Sequence, residues 1–267
     1  MKKFVAIAVI LSTAALGFRL YLALKLPNDD PDDGRVYARI ADNVLDHHSY
    51  STATDEPYKP TLIRVPGYPL FLAGVYRIFG HDNNRAVRVI QAVLSAATCW
   101  LVALLAFSWT PAGWDRAKRR RVLLIALALA AACPFTAIYV STVLTETCAT
   151  LFGTACALAA SYGLGAETQK RRISWWAVAG FCGGAATMFR PDGAMFAGSV
   201  GVALVLTTLV HAFRERRKSG SRAALQSFLA CGRTIDAASR EASGTTQPFL
   251  PKEAPKPATA TQPFQKL

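Results

Sequence analysis

Apolar residues in this chain fall in long unbroken runs rather than in alternation. Phe4–Leu26 is the first, and runs near 86–108, 122–140, 142–163, 174–190 and 194–213 follow it. Each approaches the roughly 20 residues that carry a helix across a ~30 Å hydrocarbon core. The pattern predicts an all-α, polytopic membrane bundle of about six transmembrane helices. Residues 122–163 leave little room for two crossings and a turn, so that pair is expected to be joined tightly near Pro134 or to be partly re-entrant. Met1-Lys2-Lys3 and the small residues Ala14-Ala15-Leu16-Gly17 have the look of a signal peptide. Apolar character nevertheless runs on through Tyr21-Leu22-Ala23-Leu24, past an ordinary h-region of 7–15 residues, so a retained helix is expected. Arg19 inside that helix then needs a polar neighbour within the bundle.

The polar interval from Pro27 to about Arg85 has a pattern of its own. Val36, Ile40, Val44 and Leu45 recur at helical spacing, and Leu70, Tyr76, Ile78 and Phe79 do so less regularly. Short helices lying along the membrane interface are predicted there, making a structured loop of about residues 27–85. Trp175–Ala186 is rich in glycine and alanine, which lets a neighbouring helix approach closely. From Ser219 the apolar periodicity stops, and Ser243–Leu267 is dominated by Pro, Thr, Ala and Gln. Residues 1–213 are therefore expected to form the membrane domain, and 214–267 a basic, then low-complexity, disordered cytoplasmic tail.

Composition sharpens this picture at one point, the placement of charge. The 267 residues are 52% hydrophobic and only 18% charged, yet the formal net charge is +13. The cations cluster in Arg116–Arg121, in Lys170-Arg171-Arg172 and in Arg214–Lys218, each beside an apolar run. That is the signature of cytoplasmic loops, whereas a nucleic-acid module carries its charge on a foldable polar domain, so nucleic acid is excluded as a partner. Nine of the seventeen acids lie instead between Asp29 and Asp82. If the basic loops are cytoplasmic, that acidic loop faces outward. Cys99, Cys133, Cys148, Cys156 and Cys182 sit in or beside apolar runs with no CxxC spacing, and are expected to be reduced packing residues, with no metal site.

Four stretches carry candidate chemistry. The run Asn28-Asp29-Asp30-Pro31-Asp32-Asp33 follows the first apolar segment, beside any lipid-linked substrate. Carboxylates there suit calcium binding, general-base work on a hydroxyl, or plain solvation of the loop, and spacing alone leaves the three open. Arg64 precedes Pro66-Gly67-Tyr68-Pro69, a rigid turn before an apolar helix, and a fixed guanidinium there fits a phosphate or anionic lipid. Arg190-Pro191-Asp192 places a second arginine where a proline ends a helix. Glu146, next to Thr145 in an otherwise apolar stretch, calls for an ionic partner, with Arg19 and Arg190 as the candidates.

Taken in order, Asp33-x-x-x-Tyr37-Ala38-x-Ile40-Ala41, Arg64-x-Pro66-Gly67-Tyr68-Pro69-Leu70-x-Leu72, Thr145-Glu146 and Arg190-Pro191-Asp192 resemble the GT-C membrane glycosyltransferases of the protein mannosyltransferase and lipid A aminoarabinose transferase type. The resemblance covers roughly residues 4–213. It implies transfer of a hexose or pentose from a polyprenyl-phosphate carrier, with inversion, to a glycan, lipid or protein acceptor on the outer face of the membrane. It also implies Asp33, or its neighbour Asp32, as general base, Arg64 and Arg190 as carrier-phosphate ligands, and Tyr37, Tyr68, Glu146 and Asp192 in support. Some relatives need a divalent cation, which the aspartate run would suit.

Two departures stand out. Many relatives carry an acidic pair at the aspartate, whereas position 34 is Gly34. Typical members are also much longer, so the resemblance implies a short form of the fold. The same cations would equally serve a protein that binds or transports the carrier without catalysis, or an accessory subunit of an envelope enzyme.

Overall fold

A computed structural model of the chain describes residues 2–26, 32–210 and 213. The chain divides into a unit spanning Met1–Leu206 and a second spanning Thr207–Leu267, of which only the helical residues 207–210 and 213 are described. The expected tail and its basic cluster, and Asp29 and Asp30 of the acidic run, lie outside the described residues. The elements are α1 (Lys2–Lys25), α2 (Asp32–Asp46), α3 (Gly67–Phe79), α4 (Asn84–Ser108), α5 (Arg116–Ala132), α6 (Pro134–Ile138) with a 3₁₀ turn at Tyr139–Ser141, α7 (Glu146–Leu164), α8 (Gln169–Phe189) and α9 (Gly193–Val210). Among the described residues there is no strand.

Local chemistry sets several of these boundaries. The Asn83 side chain accepts from the Ala86 N–H and opens α4, Asp115 accepts from Lys118 and opens α5, and Thr168 accepts from Arg171 and opens α8. These caps satisfy amides that the first helical turn leaves orphaned. Along the helices, Val5, Ile10, Ile125, Leu129, Phe181 and Met195 turn their side chains outward. Apolar exposure on that scale marks a surface meant for lipid.

Among the described residues the crossings number fewer than six. Four described helices are long and apolar enough to span, namely α1, α4, α7 and α9, and the bent pair of α5 with Pro134–Ser141 makes a fifth when taken as one span. α8 is not in this set, because its paired tryptophans, its glycines and the Lys170-Arg171-Arg172 start dilute its apolar character. It nonetheless runs antiparallel to α7. Tyr162 meets Trp175 at one end, Phe152 stacks on Phe189 further along, and Glu146 pairs with Arg190 at the other end. The small residues of α8 bring neighbours close, as predicted: a Cβ at Gly183 would lie 3.0 Å from that of Ala197 and 3.4 Å from the Cys156 Sγ.

The break after α5 has a clear cause. Pro134 offers no N–H and cannot continue the preceding helix, and the chain turns by 52°. Arg19 of α1, completely buried, seals the break. Its guanidinium donates to the carbonyls of Ala130 at 3.0 Å and Ala131 at 3.1 Å, while its Nε donates to Ser95 Oγ at 2.8 Å. The polar neighbours that Arg19 needed are thus the carbonyl ends of α5, not Glu146.

The expected interfacial helices are α2 and α3, which pack together and onto α4 through Tyr37, Ala41, Tyr68, Leu72 and Tyr76. α3 also abuts the end of α8, where Gly67 is obligatory. A Cβ there would stand 2.5 Å from the Met188 carbonyl oxygen and 2.9 Å from the Phe189 nitrogen, both backbone atoms that cannot rotate aside. Gly67→Ala is expected to cost about 1–3 kcal/mol, read as a lower thermal midpoint of the detergent-solubilised protein, with reduced activity because Arg190 follows directly.

A polar clasp fixes the turn between α3 and α4 to α2. His81 Nδ1 lies 2.9 Å from Asp42 Oδ1 and His81 Nε2 3.6 Å from Asp46 Oδ1. The hydrogen bond to Asp42 and the charge of Asp46 raise the His81 pKa, while burial pushes the Asp42 carboxyl up despite the lowering by His81. A histidine with a raised folded pKa stabilises fully below its unfolded value, about 6.5, and loses that contribution as pH rises through the folded value. The thermal midpoint of the native protein should therefore exceed that of His81→Gln near pH 6 and converge with it in mildly alkaline buffer.

Candidate active site

Two ion pairs meet at the end of the bundle where α2, α7, α8 and α9 begin or end. In the first, Asp33, in the opening turn of α2, accepts a hydrogen bond from Arg64 Nη2. Arg64 is held from behind by Tyr50, whose hydroxyl donates to the carbonyls of Arg64 at 3.0 Å and Val65 at 3.2 Å. Its guanidinium stands 5.7 Å from the Tyr37 ring, and its Nε is buried with no hydrogen-bond partner. A donor left over on a guanidinium already in place is suited to a further acceptor oxygen.

The second pair resolves the choice left open for Glu146. Arg190, at the C-terminal end of α8, donates from Nη1 to Glu146 Oε1 at 2.7 Å and from Nε to Asp192 Oδ1 at 3.1 Å. Proline at 191 ends α8 and turns the chain so that Asp192 reaches back to the same guanidinium. Glu146 in turn sits at the N-terminus of α7, where the helix dipole favours its charge.

Tyr37 lies between the pairs. Its phenol is pushed up by burial, drawn down by Arg64, raised by Asp33 and Glu146 and lowered by Arg190, so it senses all four charges. Its ring packs edge-on against Tyr68 at 5.2 Å. Tyr68 is fully buried and donates to Gln91 Oε1 at 2.6 Å, and Gln91 donates onward to the carbonyls of Tyr139 and Thr142. Gln91, which the sequence reading did not single out, therefore ties α3 and α4 to the turn before α7. Its only advance signal was a lone amide within an apolar helix.

Asp32 is not part of this assembly. Its carboxylate is 95% exposed and accepts from Arg35 on the solvent side of α2. Asp32 and Asp33 thus face separate guanidiniums. Among the described residues no group of three or more His, Cys, Asp or Glu side chains forms a metal cluster, and the five described cysteines are free.

An apolar groove descends from Glu146. A cavity of about 540 Å³ is bounded by Val102, Ala126, Leu129, Tyr139, Glu146 and Thr150. A second, of about 530 Å³, shares Val102, Tyr139, Glu146 and Thr150 with it and adds Leu105, Ala157, Phe196 and Arg190. Together they follow α7 from Glu146 to Ala157, about 16 Å at 1.5 Å per residue. The groove is greasy along its length and ionic at its head.

The opposite end of the bundle carries the basic segments. Trp109 donates to Ser161 Oγ at 2.8 Å, joining the ends of α4 and α7, and Arg119 at the start of α5 donates to Thr110. The starts of α5 and α8 thus lie away from the two ion pairs.

No curated relative and no solved structure matches the chain. Residues 58–230 match the model of the dolichyl-phosphate-mannose-protein mannosyltransferase family, well over half of the sequence. Arg64, Tyr68, Glu146, Arg190 and Asp192 lie within the match, and Asp33 and Tyr37 lie before it. With an all-helical body, apolar outer faces and a match of that extent, the chain belongs to the dolichyl-phosphate-mannose-protein mannosyltransferase family, among the multi-pass membrane glycosyltransferases of the GT-C type.

Proposed function

We propose that the protein transfers a sugar from a polyprenyl-phosphate carrier to a hydroxyl acceptor on the outer side of the membrane. The observation that carries this reading is the groove with its ionic head: an apolar channel that ends at Arg190, with Arg64 and Asp33 across Tyr37. A prenyl chain fits the channel, and its phosphate fits the guanidiniums, which offer parallel donors to phosphate oxygens. Segregation of the acidic loop from the basic segments supports an outward-facing site.

In this mechanism the incoming phosphate draws Arg64 away from Asp33, and the freed carboxylate takes the proton of the acceptor hydroxyl. The acceptor oxygen attacks the anomeric carbon from the face opposite the phosphate as the bond from that carbon to the phosphate oxygen breaks. The electron pair leaves on the phosphate, where Arg64 and Arg190 neutralise the added charge, and the product is inverted. Carboxylate and cations are thus used in one step, each where charge develops.

The test is transfer by the purified protein in lipid vesicles, from a radiolabelled polyprenyl-phosphate sugar to oligosaccharide, lipid and peptide acceptors. Transfer is expected, and Arg64→Ala should lower it by about 10²-fold, mainly through weaker use of the donor. If the native protein binds the carrier but moves no sugar, the non-catalytic carrier-binding reading replaces this one.

A further inference from the structure

On the opposite side of α2 from Asp33 lies a depression of about 420 Å³ that neither ion pair enters. Its floor is made of residues with little or no side chain, Gly34 and Ala53 among them, and one wall is a stacked pair of rings, His47 on Tyr58, at 3.9 Å between centroids. Arg39 and Asp42 line it from successive turns of α2. Asp42 is held by His81, whereas the exposed guanidinium of Arg39 makes no hydrogen bond or ion pair among the described residues.

The depression is pinned in shape. Asn43, almost fully buried, donates from Nδ2 to the carbonyls of Ser51 at 2.8 Å and Ala53 at 3.0 Å, which fixes the loop against α2. Ser49 Oγ donates to the Tyr58 carbonyl at 2.7 Å and holds the ring wall. A hollow whose backbone is tied down needs little ordering to take a ligand.

From this arrangement we infer that the depression binds the acceptor, and that the acceptor is a neutral, hydroxyl-rich carbohydrate. A ring wall offers a flat apolar surface to the C–H face of a sugar, and a free guanidinium beside a carboxylate offers both donors and acceptors to its hydroxyls. Arg35 and Arg39 are balanced by Asp42 and Asp82 around the rim, which gives no net attraction for an anion. Gly34 ties this hollow to the reactive end: it lines the depression and directly follows Asp33 in the opening turn of α2, which sets the hollow one residue along the chain from that carboxylate. The inference names the acceptor class for the proposed transferase and rests on that reading, but the binding itself does not require transfer to occur.

The experiment is saturation-transfer NMR with the detergent-solubilised full chain, offering neutral mannose-, glucose- and galactose-based trisaccharides, a uronic acid trisaccharide and a serine-rich peptide. Neutral trisaccharides should bind, and Arg39→Gln and Tyr58→Leu should each weaken that binding about tenfold while carrier binding stays as in the native protein. In the transfer assay the same variants should raise KM for the acceptor and leave KM for the donor alone. Preference for the acidic glycan or the peptide, or trisaccharide binding insensitive to both substitutions, would overturn the inference. Binding that depends on Arg39 and Tyr58 in a protein that transfers nothing would uphold the site and remove only the transferase reading.

Discussion

Asp33→Asn is expected to lower the rate of sugar transfer by about 10²–10⁴-fold, the usual worth of a general base. The amide keeps the shape of the side chain but cannot take a proton from a hydroxyl. Its effect on the carrier should run the other way. In the native chain Arg64 donates to Asp33, so the carrier phosphate must compete with that carboxylate. Removing the charge frees Arg64, and carrier affinity should stay level or rise while turnover collapses. Equilibrium binding of the carrier and single-turnover transfer, measured on the same preparation, separate this from a structural role, which would depress both. Transfer at the native rate would remove Asp33 from the mechanism.

The largest effect on folding is expected at Arg19. Arg19→Met keeps the volume of a long side chain but strips the donors from the Ala130 and Ala131 carbonyls and from Ser95. Each buried acceptor left without a partner costs about 1–3 kcal/mol, so two carbonyls together place the loss at about 2–6 kcal/mol. Ala130 and Ser95 also line the cavity of about 540 Å³, so water entering from that side sets the lower end of the range. The readout is the thermal midpoint and the fraction of monodisperse protein after solubilisation, with Arg19→Lys recovering part of the loss. An unchanged midpoint in Arg19→Met would mean that the carbonyls find other donors.

Much of the architecture could be read from residue order because membrane helices declare themselves in single-segment composition. The apolar runs at Phe4–Leu26 and near 86–108 became α1 and α4 almost unaltered, and the spacing of Val36, Ile40 and Val44 became α2. The tight junction expected near Pro134 is the break between α5 and α6. The crossing count was less legible, since α8 carries its helical length on small and aromatic residues of weak hydropathy.

Pairing was the part that no local pattern could supply. Arg19 and Arg190 looked alike as partners for Glu146, and only the antiparallel course of α7 and α8 decides for Arg190. Asp33 and Arg64 were both legible as charged residues at the membrane surface. That they bind one another follows from the fold of thirty intervening residues, anchored by Tyr50 and Asn43. Gln91 stayed hidden for the same reason, because its three partners come from two distant segments.

Behind its arginines, the straight part of α5 offers the bilayer only Val122–Ala132, a rise of about 17 Å against a hydrocarbon layer of ~30 Å, so this crossing is completed only by Pro134–Ser141, set at 52° to it. A kinked crossing packs less closely against its neighbours than a straight helix does, and the groove between α4, α5 and α7 lies beside that kink.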